Sequence, residues 1–245
     1  MKIAVINFAA GVGRTTVAEH LLRPRMEGVR LFCSASGVTK DGSGRYESER
    51  TKVYRFHELM ESVTSSRLAV IDVAASDTGA FIKHAVQSDV FCTGFDMFVI
   101  PVTKERNVIS ESISTIRALS GHGIDPDRIR VVFNKVRADD DLEADFDAIV
   151  RLGKGWWGIF VDTVCAVYAN EVYKMMKEEK KSLAEIAGDK TDYRELLRST
   201  EKTDERRRLA ITNEMDAPPY NGIFVPEWLL FHFSPKNRER HHAKS

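Results

Sequence analysis

The strongest constraint on this chain lies in its first 22 residues. "KIAVINF" (2–8) is a short, continuous apolar run rich in β-branched residues. A strand covered on both faces reads this way. "RTTVAEHLL" (14–22) has helical spacing, with Val17, Leu21 and Leu22 on one side. Between them lies a loop holding Gly11 and Gly13. A strand that runs through glycines into a helix N-terminus aims backbone N–H groups and the positive end of the helix dipole at one point. Phosphate binds well there. The two glycines let the backbone approach closely, Arg14 supplies side-chain charge, and the Thr15 hydroxyl is placed to ligate Mg2+. Laid on residues 8–15, the GxxxxGK[ST] template gives Phe8, Gly13, Arg14 and Thr15, so Gly13 and Thr15 match and the other two defined positions do not. A tight strand–helix turn without a ligand fits the short pattern equally well. The position after the first strand favours the phosphate reading.

The rest of the chain alternates in the same way. Pro24 helps end the first helix. "VRLFCSA" (29–35) reads as a second strand, and the polar, glycine-rich residues 37–51 read as an exposed loop. "HELMESV" (57–63) is a short helix; "RLAVIDV" (67–73) and "DMFVIPV" (96–102) are strands. From Asn107 to Leu119, apolar residues recur at helical spacing. "RIRVVFNKV" (128–136) is the next strand, "WWGIFVDTVCAVY" (156–168) contains strand material, and "EVYKMMKEEKKSLAEIA" (171–187) is a charged helix. Alternating strands and helices imply right-handed crossovers. The expected fold class is α/β, with a mainly parallel central sheet flanked by helices. The pattern changes at Pro218-Pro219, so residues 1–217 are expected to form the main domain and 218–245 an extension with an apolar patch and a basic tail.

Two further positions carry chemistry. Asp72 closes the apolar run "LAVID", and a carboxylate at the C-terminal end of a parallel strand points into the ligand crevice. Paired with the loop it would hold a water of the Mg2+ shell; alone it would be a turn residue or a helix cap. Asn134, at the end of "VVFN", carries an amide able to pair with a purine edge. The bland alternative is an Asx turn. A guanine site of the NKxD kind needs an acid at position 137, where this chain has Arg137, so adenine is favoured.

Bulk properties exclude several classes. There are 36 basic and 36 acidic residues, so no global field pulls the chain toward nucleic acid or membrane. Cys33, Cys92 and Cys165 form no CxxC pair and fit a reducing cytosol. Neither a signal peptide nor an apolar run long enough to span a bilayer is evident, which makes the expected location cytoplasmic. Arg206-Arg207-Arg208 reads as a solvated helix face, with DNA phosphate contact as the functional alternative. "EWLLFHF" (227–233) reads as a segment docked on the protein's own core, with a dimer or membrane contact as alternatives. His241-His242 lack a third ligand at suitable spacing.

Taken together, the loop, Asp72 and Asn134, in this order and each at a strand end, resemble the ParA/MinD group of P-loop ATPases. Their variant Walker A loop has the form KGGVGKT, matched here by "AAGVGRT" (9–15). The texture "MKIAVINF", "VIDVAAS", "FVIPVTKE", "VVFNKV" and "SLAEIAGDKTDYR" is similar to StbB-type plasmid stability proteins, over roughly residues 1 to 198. The resemblance implies ATP and Mg2+ as cofactors. It also implies an ATP-dependent homodimer and a role in plasmid stability, partition or positioning alongside a plasmid DNA-binding adaptor protein. Carried over by position, Ala10, Gly11, Val12, Gly13, Arg14, Thr15 and Thr16 would cradle the phosphates and metal. Asp72 would be the Walker B acid, Arg14 and Asp72 the catalytic pair, Asn134 the adenine contact, and Tyr168 to Val172 a wall of the base site. The departures matter equally. Ala9 replaces the lysine that reaches across the dimer in that group, and Ser34 and Ser36 stand where switch aspartates are expected. Serine is a poor base at neutral pH. Arg14 keeps the charge but replaces a compact ammonium with a planar fork. Two readings therefore stay open: a switch with weak or slow ATP hydrolysis, and a non-hydrolysing nucleotide-binding interaction module.

Overall fold

A computed structural model describes residues 1–34, 49–50, 56–87, 94–154, 159, 161–163, 165–169, 173, 193–200 and 223–224. The chain divides into two compact units, Met1–Tyr168 with Phe224–Ser245, and Ala169–Ile223. The expected boundary between 217 and 218 lies outside the described residues, as do the helix expected over 171–187 except for Tyr173, Arg206–Arg208, the 227–233 patch and the basic tail.

In the larger unit, β1 (Lys2–Val5), β2 (Arg30–Cys33), β3 (Glu49–Arg50), β4 (Ala69–Asp72), β5 (Met97–Val102), β6 (Ile129–Val136) and β7 (Ala166–Tyr168) form one sheet in the order β3-β2-β4-β1-β5-β6-β7. Each of these pairings is parallel. A two-residue strand, β8 (Ile223–Phe224), straddles the boundary between the units. The apolar runs became strands because a parallel sheet is covered on both faces and needs apolar side chains on both. All of Ala69–Asp72 and Met97–Val102 is buried.

The helices supply that cover. The first begins as α1 (Arg14–Thr16), widens into a π-helix over Val17–Leu22 and closes in a 3-10 turn, Arg23–Arg25, with Pro24 inside it. Val17, Ala18, Leu21 and Leu22 are its buried residues, so the expected apolar side is the inner one. Next come α2 (Phe56–Ser65), α3 (Ala75–Gln87) and α4 (Arg106–Gly121). Two short helices, α5 (Leu142–Asp145) and α6 (Asp147–Lys154), follow β6. In the smaller unit the described helix is α7 (Tyr193–Ser199). The sequence reading found α2 and α4 but passed over α3, α5, α6 and α7. The first turn of α3, Ala75 to Gly79, is composed like a loop, and the helix shows itself as one only through its packing: Phe81 and Ile82 are buried.

The core is rich in aromatic rings. Phe81 of α3 meets Phe95 at 5.8 Å between centroids, and Phe95 meets Phe98 of β5 at 5.6 Å, both tilted. On the same face, Phe133 of β6 and Phe146 are 4.6 Å apart. β1 pairs with β4 on one side and β5 on the other, so the loop that follows it emerges at the C-terminal edge of the sheet, where open α/β sheets place their ligands.

Candidate phosphate-binding site

The loop after β1 is shaped by two glycines in the left-handed region, Gly11 at φ 71° and Gly13 at φ 80°. Gly13 is required twice over. A side chain there would strain the backbone, and its Cβ would run into the Asn134 amide nitrogen.

The carbonyls of the loop are taken by partners of its own chain. Arg14 Nη1 donates to Asn7 O at 2.9 Å and to Ala9 O at 2.5 Å. Lys135 Nζ donates to Gly11 O at 2.8 Å, Asn134 Nδ2 to Val12 O at 2.7 Å, and Val17 N to Gly13 O at 3.0 Å. The first two N–H groups are also committed, Phe8 N to Thr115 Oγ1 at 3.0 Å and Ala9 N to Asn7 Oδ1 at 2.8 Å. Among the described residues, the N–H groups from Ala10 through Thr16 have no hydrogen-bond acceptor assigned. A run of free donors ending in a helix N-terminus is a site built for an anion.

Asp72 stands beside it. In the sheet it is level with Val5 of β1 and Cys33 of β2. The Thr15 hydroxyl donates to Asp72 Oδ2 at 2.5 Å, leaving the Thr15 oxygen lone pairs available to a cation. Burial pushes the Asp72 carboxyl up, against the Thr15 hydrogen bond and the Arg14 charge, which pull it down. Burial likewise lowers the Arg14 guanidinium, with Asp72 opposing. The loop, Thr15 and Asp72 thus fit a Mg-nucleotide: donors for phosphate, an arginine for charge, and a hydroxyl with a carboxylate for the metal shell.

The end of β6 grips the loop from the other side. Its pairing with β7 slips between Asn134 and Val136. The residue at the slip, Lys135, has φ 58°, the one positive φ outside glycine among the described residues. A bulge of this kind re-aims a side chain, and here Lys135 reaches over Gly11. Asn134 is 4% exposed and holds the loop through Val12. Position 137 supplies no acid: it is Arg137, whose backbone N–H donates to Asp140 Oδ2 at 2.8 Å, while Asp140 Oδ1 accepts Lys104 Nζ at 2.5 Å.

Ser34, the residue at the expected switch position, is fully buried. Its hydroxyl donates to Asp77 Oδ2 at 3.3 Å and accepts the Ala74 N–H at 3.0 Å. Ser36 and residues 170–172 lie outside the described residues, while Tyr168 closes β7. Asn7 is the site residue that the template reading missed, because the GxxxxGK[ST] pattern begins one residue after it.

No protein-family model matches the chain. Its structure is similar to that of McdA from Cyanothece in the apo form, at a TM-score of 0.52 and 13% identity over 87% of this chain and 98% of that one. It is also similar to a Cyanothece McdA variant in complex with ATP, at a TM-score of 0.50 and 13% identity over 89% of this chain and 96% of that one. A plasmid partition protein from Borrelia burgdorferi overlaps at a TM-score of 0.44 and 12% identity, over 73% and 94% of the two chains. The likeness to McdA is one of fold, and together with the all-parallel sheet and the loop it makes this chain an α/β protein of the P-loop architecture.

Proposed function

We propose that this chain is a cytoplasmic ATP-binding switch of the ParA type, of the StbB-like kind, acting in plasmid stability, partition or positioning. The observation that carries the reading is the run of unbonded N–H donors from Ala10 to Thr16 set beside the Thr15–Asp72 pair. Ala10 to Thr16 would hold the phosphates, with Arg14 neutralising their charge. Thr15 would hold Mg2+, with Asp72 acting through a water. Asn134 would meet the adenine with the part of its amide not engaged by Val12, and Tyr168 would start the wall of the base site. Mg-ATP supplies the bond that can be hydrolysed; the chain supplies donors, charge and shape. Support for the ATP assignment comes from Arg137 and from the fold shared with an ATP-bound McdA variant. Binding would assemble a homodimer that works with a plasmid DNA-binding adaptor, by direct DNA contact or through the adaptor alone. Among the described residues no helix is long and apolar enough to cross a membrane, and no membrane role is proposed. Calorimetry with Mg-ATP, together with gel filtration with and without it, tests this reading. Absence of binding by the wild-type chain would sink it.

A second reading rests on Ser34. Its buried hydroxyl is already spent on Asp77, so it is no base for an attacking water, and Ala9 cannot reach a partner's nucleotide. On this reading the chain binds ATP and contacts its partners without useful turnover. Phosphate release well above that of an Asp72→Ala control would exclude it.

A further inference from the structure

The approach to the loop is held by hydroxyls on α4 rather than by a glycine. Val108, Ser112, Thr115, Ile116 and Leu119 form the buried side of α4. Ser112 and Thr115 are fully buried, at positions where apolar side chains pack better. Buried hydroxyls in a helix interior need a reason, and here the reason lies across the interface. Thr115 Oγ1 accepts the Phe8 N–H, and Ser112 Oγ accepts from Asn7 Nδ2 at 2.7 Å. Asn7, also fully buried, gives its second amide hydrogen to Pro101 O at 2.8 Å and takes the Ala9 N–H on Oδ1. Its own carbonyl accepts from Arg14 Nη1 and from Thr78 Oγ1. The hydroxyl protons are bonded too, with Val108 O 2.7 Å from Ser112 Oγ and Glu111 O 2.9 Å from Thr115 Oγ1.

This arrangement decides where the anion-facing run begins. The N–H groups of Phe8 and Ala9 are turned into the protein, and the free run starts at Ala10. Phe8 stands where the pattern has glycine, so backbone freedom does not set this turn; the hydroxyls do. We propose that Thr115 and Ser112 are positioning residues of the phosphate loop, acting through the Phe8 N–H and Asn7, and that they couple α4 to nucleotide occupancy. The proposal rests on reading the loop as a nucleotide site.

The test compares Thr115→Val, which keeps the shape and removes the acceptor, with Thr115→Ser, which keeps the hydroxyl, and with Ser112→Ala. Mg-ATP affinity is measured by calorimetry at a temperature where circular dichroism shows every variant folded. Losing one hydrogen bond that orients the loop is expected to weaken binding about five- to tenfold in Thr115→Val and Ser112→Ala. Thr115→Ser should stay within about twofold of wild type. Amide exchange is followed at Phe8 and Ala9 in the same proteins without nucleotide, and both amides should lose protection in Thr115→Val and keep it in Thr115→Ser. A folded Thr115→Val protein with wild-type affinity and protection would overturn the proposal, as would equal losses in the Val and Ser variants. If the wild type binds no Mg-ATP, the nucleotide reading falls, and the exchange of Phe8 and Ala9 still decides whether the hydroxyls set the loop.

Discussion

Asp72 sits where its charge is costly. Its carboxyl is raised by burial, so the folded state holds a proton more tightly than the unfolded chain does. Stability from this group is therefore complete below the unfolded value and falls as pH rises through the raised one. Asp72→Asn keeps an acceptor for Thr15 and removes the buried charge. It should raise the melting temperature of the nucleotide-free protein at neutral pH by a few degrees and abolish the Mg2+ dependence of nucleotide binding. Thermal melts and calorimetry check the two halves. His20 runs the other way. Burial first, then Arg23, lowers its pKa from 6.5 to about 4, while Glu19 Oε2 lies 3.8 Å from its ring. A depressed base gives stability that is full above its unfolded pKa and is lost as pH falls from about 6.5 toward about 4. At about 1.4 kcal/mol per unit, that loss is on the order of 3 kcal/mol. Urea melts across that range should show the acid slope, and His20→Gln should flatten it. The sequence pointed to Asp72 because it closes an apolar run. Nothing in the sequence marks His20, since its burial comes from the fold around it.

Among the elements, β6 and the loop depend on each other. Gly13 faces Asn134, and Asn134 bonds Val12. Gly13→Ala meets both a left-handed backbone and a side-chain collision, so it should cost about 1–3 kcal/mol and abolish nucleotide binding. Removing the obstacle should return part of that stability. Gly13→Ala with Asn134→Ala is expected to cost less than the sum of the two single changes, read by urea unfolding. The Asn-Lys at the end of β6 stood out in the sequence as a polar pair closing an apolar strand. The bulge that lays Lys135 over Gly11 was not, because a register slip depends on the neighbouring strand. The same holds for α3. Its first turn is composed like a loop, and it is a helix because Thr78 shares its hydroxyl proton between Ala74 O and Asn7 O while Phe81 packs on Phe95. The π-helix over Val17–Leu22 leaves the apolar side unchanged, so periodicity could not reveal it.

For the molecule as a whole, the sheet is the frame and the ligand is the load. Phe98 on β5 is fully buried next to Phe95, so Phe98→Ala should destabilise by about 3–5 kcal/mol, measured by denaturant unfolding. Mg-ATP at about 100 times its Kd should stabilise the wild type by about 2.7 kcal/mol, and the Asp72→Asn variant by much less. Differential scanning fluorimetry reads both. The amino-acid sequence by itself determined the alternation of strands and helices, the parallel sheet and the position of the glycine loop after β1, because apolar periodicity and glycine placement act over a few residues. Only the tertiary structure decided how that loop is held. Ser112 and Thr115 of α4 and Lys135 of β6 reach Asn7 and the loop from up to 124 residues away in sequence. A hydrogen bond carries no trace in sequence until the chain has brought its two ends together.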